Sequence, residues 1–343
     1  MVVLKKRAFY FKMIIIAGSV AFFNFFMFLF PTTSLTAARE GLLLWFNNVL
    51  PALLPFVIAT NILIGIGFVR FVGTLLEPLM LPLFGVPGSG GFAFAAGAAS
   101  GYPVGAKMVA QLRQSGELTR TEAQRLMAFC NNAGPLFLLG AVGVGMFRSV
   151  QAGYFLMLCH YGGALLTGLA FKYYKPTQMR RVNPVHRIGI RALQNMADAR
   201  RADGRPFGLV MADSVKNAME TMLLIGGFIV FFCVVAAVLK EARLFAILTN
   251  GFASAHTALA EGFLVGLIEV TNGTRALSAL PASKAQMLLV CAAVSFGGFS
   301  IFAQTVGFIA KTDINPAVYL LSKISHAAAS VLLGYFFFSF FSF

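Results

Sequence analysis

Charged side chains are scarce in this sequence. Only 11% of its 343 residues are Asp, Glu, Lys or Arg, whereas 58% are hydrophobic and the mean hydropathy is +0.80. Soluble globular domains carry about 25% charged residues, so a soluble fold is excluded. A chain crosses the bilayer core as helices of about twenty apolar residues, because lipid cannot satisfy exposed backbone groups. The sequence therefore predicts an all-α polytopic membrane protein, with the lipid bilayer as a partner.

Motifs for metal binding, disulfide formation and hydrolysis are also lacking. The four cysteines lie singly in apolar segments, without a Cys-x-x-Cys pair, so neither a metal site nor a disulfide is expected. The sequence has no His-Glu-x-x-His motif, no paired carboxylates and no Ser-His spacing, which argues against an enzyme. His160, His256 and His326 lie in or near apolar segments, where a histidine can relay protons. Hydrogen-bonded packing is the commoner role of such a residue.

Acidic residues are the rarer charge, 12 against 27 basic ones, and the formal net charge is +15. Nucleic-acid binding would suit this balance, but ten basic residues fall in one polar segment, 172–216, between apolar runs. Cytoplasmic loops of membrane proteins are enriched in Lys and Arg. We therefore predict a basic cytoplasmic loop and no nucleic-acid partner. Contact with anionic lipid headgroups is the alternative role for this segment.

The chain opens with basic residues followed by an apolar run at positions 9–30. This run is about twenty residues long, beyond the 7–15 of a secretory signal, and long enough to span a bilayer. Residues 1–33 are therefore predicted to form a retained transmembrane helix with a cytoplasmic N-terminus.

Interruptions of the later apolar runs are more informative than the runs. In the first half, 34–171, the sequence Ser-Gly-Tyr-Pro at 100–103 divides two arms that are each about half a bilayer long. Asn-Asn-Ala-Gly-Pro at 131–135 then interrupts a span predicted over 121–147. Irregular backbone at membrane depth is tolerated only where protein or a water-filled cavity satisfies it. These interruptions predict a re-entrant helical hairpin and a broken transmembrane helix.

The second half, 217–343, repeats this order of elements. A polar stretch at 269–275 divides two apolar arms, and Ser-Phe-Gly-Gly-Phe-Ser at 295–300 interrupts a span predicted over 283–310. Counting crossings from a cytoplasmic N-terminus places the first hairpin open to the cytoplasm and the second open to the outside. The sequence thus predicts an inverted structural repeat, as in many secondary transporters that bind substrate near the midplane between repeats.

The polar and turn-forming residues of these interruptions are the predicted substrate site, together with basic residues beside the tips. They can turn the chain, bond substrate or satisfy freed backbone groups. The candidates are Ser100, Gly101, Tyr102, Pro103, Lys107, Asn131, Asn132, Gly134, Glu269, Thr271, Asn272, Arg275, Ser295, Gly297, Gly298 and Ser300.

Three segments resemble a known family: Ser-Gly-Tyr-Pro-Val-Gly-Ala-Lys at 100–107, the run 117–137, and Gly-Ala-Val-Gly at 140–143. They are similar to the YlbJ family of sporulation integral membrane proteins, also called the stage V sporulation SpoVV family. That family contains nucleoside-recognition gate domains, which are similar to the core of concentrative nucleoside transporters. The resemblance implies transport of dipicolinic acid across the outer forespore membrane during sporulation.

A small anionic substrate agrees with the expected geometry, since half-helix N-termini carry partial positive charge that favours a carboxylate. Lys107 and Arg275 are expected to pair with the carboxylates of such a substrate. Alternatively, Lys107 extends its amine to the membrane surface and Arg275 pairs with Glu269. Glu269 is also a candidate for binding a coupling proton or sodium ion. No other cofactor is expected, and a homo-oligomer is left open.

Two other functions stay open. A nucleoside is the alternative substrate, although basic residues at the tips do little for a neutral molecule. A membrane sensor or scaffold that binds a small molecule without carrying it is the alternative of another class. Flux into vesicles distinguishes these functions.

Overall fold

A computed structural model describes residues 2–175, 188–250 and 254–341, and the regular secondary structure within these ranges is entirely helical. Four of the described helices or helix pairs are long and apolar enough to cross a membrane, and six if each of two bent pairs forms one span. The prediction of an all-α polytopic membrane protein is confirmed.

The described residues form sixteen α-helices. In chain order they are α1 (Val2–Leu29), α2 (Pro31–Leu44), α3 (Leu50–Gly65), α4 (Phe68–Phe84), α5 (Ser89–Ser100), α6 (Val104–Gln114), α7 (Arg120–Cys130), α8 (Val150–Phe171), α9 (Ile188–Asp203), α10 (Phe207–Glu241), α11 (Leu244–Thr249), α12 (Ser254–Ile268), α13 (Val270–Ser278), α14 (Lys284–Phe296), α15 (Gly298–Ile309) and α16 (Pro316–Phe337). Two segments, Trp45–Val49 and Leu136–Met146, have the wider π-helical hydrogen bonding, and Phe338–Phe340 is a 3-10 turn.

The N-terminal helix α1 occupies the predicted position and ends in a bend of 104° before α2. Pro31 opens α2, where a missing N–H is tolerated because it would lack a helical partner in any case. Helix α2 packs along α10. Trp45 follows α2 and donates its indole N–H to Met222 O of α10 at 3.0 Å. The first elements of the chain are thereby attached to the middle of its longest helix.

The segment predicted to be a basic loop, 172–216, contains more structure than expected. It holds α9, which packs against α4, and the first turns of α10. Acidic and polar partners make this order possible: Asn195 Nδ2 donates to Thr74 Oγ1 at 2.8 Å, and Arg205 lies 2.8 Å from both Asp203 and Asp213. Of its ten basic residues, Arg180, Arg181 and Arg187 lie outside the described residues.

Two helical hairpins stand where the sequence predicts them, but their turns differ. Residues 101–103 separate α5 from α6, and Gly101 has φ +85. Between α12 and α13, Glu269 alone is non-helical, so most of the predicted turn at 269–275 is helix. The correction has a physical reason: the Glu269 side chain caps α13, which allows the helix to begin at once.

Both predicted broken helices are present. Residues 131–134 are non-helical and separate α7 from the π-helix Leu136–Met146. Between α14 and α15 the break is narrower than the predicted 295–300: Gly297, at φ +86, is its single non-helical residue, and the two helices together form one candidate span, Lys284–Ile309. Glycine reaches positive φ without the steric penalty that a Cβ imposes.

Contacts between the two halves are reciprocal. Helix α6 of the first hairpin packs on α15, and α13 of the second hairpin packs on the π-helix Leu136–Met146. The last long helices of the two halves, α8 and α16, pack on each other extensively. Two repeats related by a two-fold axis would produce this pattern. Their opposite orientation across the membrane stays a prediction.

Candidate functional site

A cavity of about 950 Å³ lies between the two hairpin tips. Its walls come from the two π-helical segments, Trp45–Val49 and Leu136–Met146, and from α3, the end of α5, α10, α13 and α15. The volume falls within the range of small-molecule sites, which run from about 300 to 1,000 Å³. Apolar side chains supply most of the wall, and a few polar groups converge on it, as in typical ligand pockets.

At the first tip, two residues that line the cavity carry a hydroxyl without a hydrogen-bond partner. They are Ser100 and Tyr102, and both hydroxyl oxygens are buried. Leaving a buried hydroxyl unsatisfied costs about 1–3 kcal/mol. Unsatisfied groups at a cavity are therefore candidates for bonds to a ligand.

The first tip rests on the first break through two glycines. A methyl group built on Gly101 would lie 2.9 Å from Gly134 N, so neither backbone leaves space for a side chain. Tyr161 joins the same two elements, because its hydroxyl approaches Ala98 O at 3.0 Å and Ala133 O at 2.8 Å. Tip and break are thus held as one unit, which we call the first gate (residues 98–103 and 131–134).

The second tip is built on a carboxylate. Glu269 is buried, and its two oxygens accept hydrogen bonds from Thr271 N at 3.1 Å and Asn272 N at 2.8 Å. The N-terminus of α13 therefore already holds an anion from its own chain. This corrects the expectation that the half-helix start at the second tip would receive a substrate carboxylate.

The second tip also touches its own break. A methyl group built on Gly298 would lie 3.0 Å from Gly266 O and 3.2 Å from Ile268 O. We call these parts the second gate (residues 266–270 and 297–298). Gly273 was predicted as a turn residue, but it is helical and permits close packing, since a methyl group there would lie 2.0 Å from the Gly266 Cα.

Two buried residues of α15 complete the floor of the cavity. Gln304 Nε2 donates to Ser300 Oγ at 3.3 Å, and Gln304 Oε1 has no hydrogen-bond partner. Gln304 was not among the predicted site residues. Its position two turns into an apolar helix gave no breaker or charge signal that would have identified it.

Two arginines line the cavity with exposed side chains, Arg148 and Arg275. Because Ser100, Glu269 and Ser300 are buried whereas the arginines are exposed, the arginines mark the rim. Neither arginine forms a salt bridge among the described residues, so the alternative pairing of Arg275 with Glu269 is not observed. Sequence reasoning missed Arg148 because a basic residue just after an apolar run is typical of any loop.

The predicted site residues divide into two groups. Those that line the cavity are Ser100, Gly101, Tyr102, Gly134, Glu269, Thr271, Arg275 and Ser300. Those that lie elsewhere are Pro103, Lys107, Asn131, Asn132, Asn272, Ser295, Gly297 and Gly298.

Several residues of the second group have structural contacts instead. Lys107 Nζ donates to Thr221 Oγ1 of α10 at 2.7 Å, and neither residue lines the cavity. Asn132 Nδ2 donates to Phe129 O at 2.7 Å and so satisfies a carbonyl at the end of α7. Asn272 Nδ2 donates to Cys233 Sγ at 3.3 Å. A polar group at a break was expected either to bind substrate or to satisfy the backbone, and Asn132 takes the second role.

Together these features define a polytopic helical membrane protein with a mostly apolar cavity, lined by a few polar groups, between two helical hairpins and two broken helices. Residues 46–157 match the family described as "Gate: Nucleoside recognition". The chain is 38% identical over 330 residues to the sporulation integral membrane protein YlbJ of Bacillus subtilis (strain 168), covering 90% of this chain and 81% of that protein. The chain therefore belongs to the YlbJ family, as its motifs predict. No solved structure matches the chain.

Proposed function

We propose that this protein is a membrane transporter for a small aromatic anion, with dipicolinate as the first candidate. The observation that carries the proposal is the cavity between the two gates, which combines a cationic rim with buried, unpartnered polar atoms. Family membership adds the context of sporulation and of a gate domain. The outer forespore membrane is the proposed location, and a catalytic role is not part of the proposal.

Charge at the cavity favours an anion. Arg148 and Arg275 at the rim offer guanidinium groups, which form paired hydrogen bonds with carboxylates. The opposing charge of Glu269 is directed to the backbone N–H groups of Thr271 and Asn272. A dicarboxylate that spans the two arginines would therefore meet more positive than negative potential.

The lining also suits a flat aromatic body. Phe56 and Phe137 contribute rings to the cavity wall, and aromatic rings pack favourably on other rings. The hydroxyls of Ser100 and Tyr102 can donate to a carboxylate oxygen or a ring nitrogen. Apolar walls would hold the ring, while rim and tip would hold the charged groups.

A nucleoside is the second candidate, and a specific feature favours it. Gln304 Oε1 is an unpartnered acceptor at the cavity floor, and nucleosides offer hydroxyl and N–H donors where dipicolinate offers none. The match to a family described by nucleoside recognition points the same way. A sensor or scaffold that binds in the cavity without transport is the remaining alternative.

Uptake into proteoliposomes tests the proposal. Labelled dipicolinate and uridine are supplied in parallel to vesicles that contain the wild type, Arg148→Gln, Arg275→Gln or, as a matched control, the exposed Arg201→Gln. We expect dipicolinate uptake in the wild type and the control, and a loss of at least about tenfold in each rim variant, as suits charge-assisted bonds of about 1.5–3 kcal/mol. Uptake of uridine alone would support the nucleoside function. Saturable binding without flux of either compound would support the sensor.

A further inference from the structure

A second polar cluster lies behind the first gate, and none of its members lines the cavity. It joins Lys323 and His326 of α16 to His160 of α8, residue Asn131 of the first break and Ser295 at the end of α14. All five side chains are buried, at 2% exposure or less. Burying a lysine is costly unless its charge is compensated, so its retention at this place calls for a reason.

The Lys323 amine contacts one backbone carbonyl and one imidazole nitrogen. The amine lies 3.2 Å from Asn131 O and 3.1 Å from His326 Nδ1. Among the described residues no salt bridge includes Lys323, so the ammonium faces a carbonyl and an imidazole without a carboxylate.

The hydrogen-bond directions limit how many protons the pair can hold. His326 Nε2 lies 2.8 Å from His160 O, which can only accept, so this nitrogen carries a hydrogen. Its other nitrogen, Nδ1, lies 3.1 Å from the Lys323 amine. Two positive charges at this distance repel strongly, so His326 Nδ1 can take up a proton only while the Lys323 amine is neutral. The pair therefore holds one positive charge when protonated.

His160 is fixed as a neutral ring in the same network. Its Nε2 lies 2.9 Å from Ala133 N, an obligate donor, so Nε2 accepts. Its Nδ1 then donates to Ser295 Oγ at 3.0 Å, and Ser295 contacts Ser330 Oγ at 2.7 Å. The first break and the end of α14 are therefore linked through one imidazole, and this link adjoins the Lys323–His326 pair through His160 O.

Among the described residues, the other titratable side chains near this pair are hydroxyls and thiols. Tyr319 of α16 receives a bond from Asn131 Nδ2 at 2.7 Å, and Tyr161 of α8 packs beside His160. Three cysteines sit in the elements that surround the pair: Cys130 of α7, Cys159 of α8 and Cys291 of α14. Among the described residues, the Lys323–His326 pair is thus the part of this cluster that can carry a positive charge.

We propose that Lys323 and His326 bind the proton that couples transport to a pH gradient. The inference rests on the proposed transport function and names its coupling ion. The Lys323 ammonium contacts the carbonyl of Asn131, just beyond the C-terminal end of α7, where the helix dipole favours a cation. Secondary transporters coordinate coupling cations with such freed carbonyls. Here a protonated side chain takes that position, so sodium is not required.

Proton binding would act on the gate through Asn131. With the proton present, the ammonium draws the break toward α16. After the proton leaves for water, a neutral amine holds the same carbonyl more weakly, because a hydrogen bond from a charged donor is about twice as strong as a neutral one. The state of the pair would thereby bias the first gate between two positions.

Flux in proteoliposomes under separate gradients tests this proposal. Potassium is kept equal on both sides with valinomycin, so the membrane potential is fixed near zero. Labelled dipicolinate is followed under an inward proton gradient without sodium and under an inward sodium gradient at equal pH. Counterflow of labelled dipicolinate and of labelled uridine is followed without either gradient. If one proton is carried with each substrate, a gradient of ~1 pH unit should drive up to about tenfold accumulation of dipicolinate. The sodium gradient should leave dipicolinate accumulation unchanged.

Variants localise the effect to the pair. Lys323→Met and His326→Gln should lose the stimulation by the proton gradient, measured as the ratio of uptake with and without it. Lys311→Met, an exposed lysine in the loop before the same helix, should keep it. The dye pyranine inside the vesicles should report acidification that depends on added dipicolinate in the wild type and in Lys311→Met, and no such acidification in Lys323→Met or His326→Gln.

The outcomes separate this inference from the function it rests on. Absence of counterflow for both dipicolinate and uridine in the wild type would overturn transport itself, and the coupling with it. Counterflow without a response to the proton gradient, or accumulation driven by sodium, would overturn the coupling site alone. The same holds if Lys323→Met retains the full stimulation. Because the wild-type arms decide the question, poor insertion of a variant does not leave it open.

Discussion

The two hairpin tips occupy matching places beside the cavity but differ in chemistry. The first begins α6 without a side-chain cap and presents the free hydroxyls of Ser100 and Tyr102. The second begins α13 with Glu269, whose carboxylate occupies the helix start. An uncapped start next to free donors is suited to a ligand that brings its own acceptors. A self-capped start is complete without a ligand.

The two breaks differ in the same sense. The first break spans four non-helical residues, 131–134, and depends on side chains from other helices, among them Tyr161 and His160. The second is made by Gly297, which turns the chain locally. Since the first gate depends on distant partners and the second on its own backbone, we infer that the first gate is the element that responds to substrate and proton. The second gate then serves as a fixed wall.

The largest difference between the two gates is expected from alanine substitutions at two glycines with positive φ. Gly101 has φ +85 and ψ 177, a region almost restricted to glycine, and its added methyl group would lie 2.9 Å from Gly134 N. Gly297 has φ +86, but its nearest neighbour would be 3.5 Å away. We expect Gly101→Ala to lower stability by about 3 kcal/mol or more and Gly297→Ala by about 1–2 kcal/mol, because only the first adds a clash to the backbone strain.

Thermal unfolding in detergent measures both variants, with dipicolinate flux as a second readout. Gly189→Ala is the matched control, since its methyl group would meet no atom within 4 Å and its φ is negative. Equal losses in Gly101→Ala and Gly297→Ala would remove the proposed difference between the gates.

Removal of one hydroxyl should weaken the first gate next most. The Tyr161 hydroxyl contacts Ala98 O and Ala133 O and so joins tip to break. Tyr161→Phe leaves the ring in place but removes this link, and we expect a loss of about 1–2 kcal/mol in stability together with reduced flux. Tyr154→Phe, on the exposed side of the same helix, is the control. A wild-type melting temperature and wild-type flux in Tyr161→Phe would contradict the role of this link.

The sequence predicted the hairpins and the broken helices, but it did not predict most of the difference between the two gates. Breakers at residues 100–103 and 131–135 predicted a hairpin and a broken helix because glycine, proline and asparagine are poor continuations of an apolar span. The cap formed by Glu269 could not be predicted as such, since a glutamate in an apolar segment is equally compatible with binding a cation. The extended turn predicted after it was wrong for the same reason.

Residues that matter only through tertiary contacts were the least predictable. Lys323 lies in an apolar helix with no breaker nearby, and its partner Asn131 is 192 positions away. Gln304 and Arg148 both line the cavity because α15 and the segment just after the π-helix Leu136–Met146 border it. Lys107 shows the converse, because its position one turn after the first tip suggested substrate, whereas its amine contacts α10.

Substitutions at the two tips should change substrate affinity in opposite directions. Glu269→Gln removes a negative charge from the cavity wall and keeps an acceptor for the helix start, so dipicolinate should bind more tightly. Ser100→Ala removes a donor, so dipicolinate should bind less tightly. Each effect should be about 1 kcal/mol, or roughly fivefold in the dissociation constant. Titration calorimetry in detergent measures both, and a shift of the same sign in the two variants would count against the assigned roles.

The smallest effect is expected outside the gates, at the salt bridge between the first hairpin and the loop before α16. Arg113 Nε and Nη2 donate to Asp313 at 2.8 and 2.9 Å, and both side chains are partly exposed. The hydrogen bond and charge of Arg113 hold the pKa of Asp313 below its usual range. The pair therefore contributes its full stability above the unfolded-state pKa of about 3.9 and loses it as the pH falls through the lower folded-state value.

Asp313→Asn should lower stability by less than about 1 kcal/mol at pH 7, and the difference from the wild type should shrink toward pH 3. A thermal-shift series between pH 3 and 8 measures this, and a loss as large as that of Tyr161→Phe would show that the two halves are joined at their surface as firmly as within the first gate.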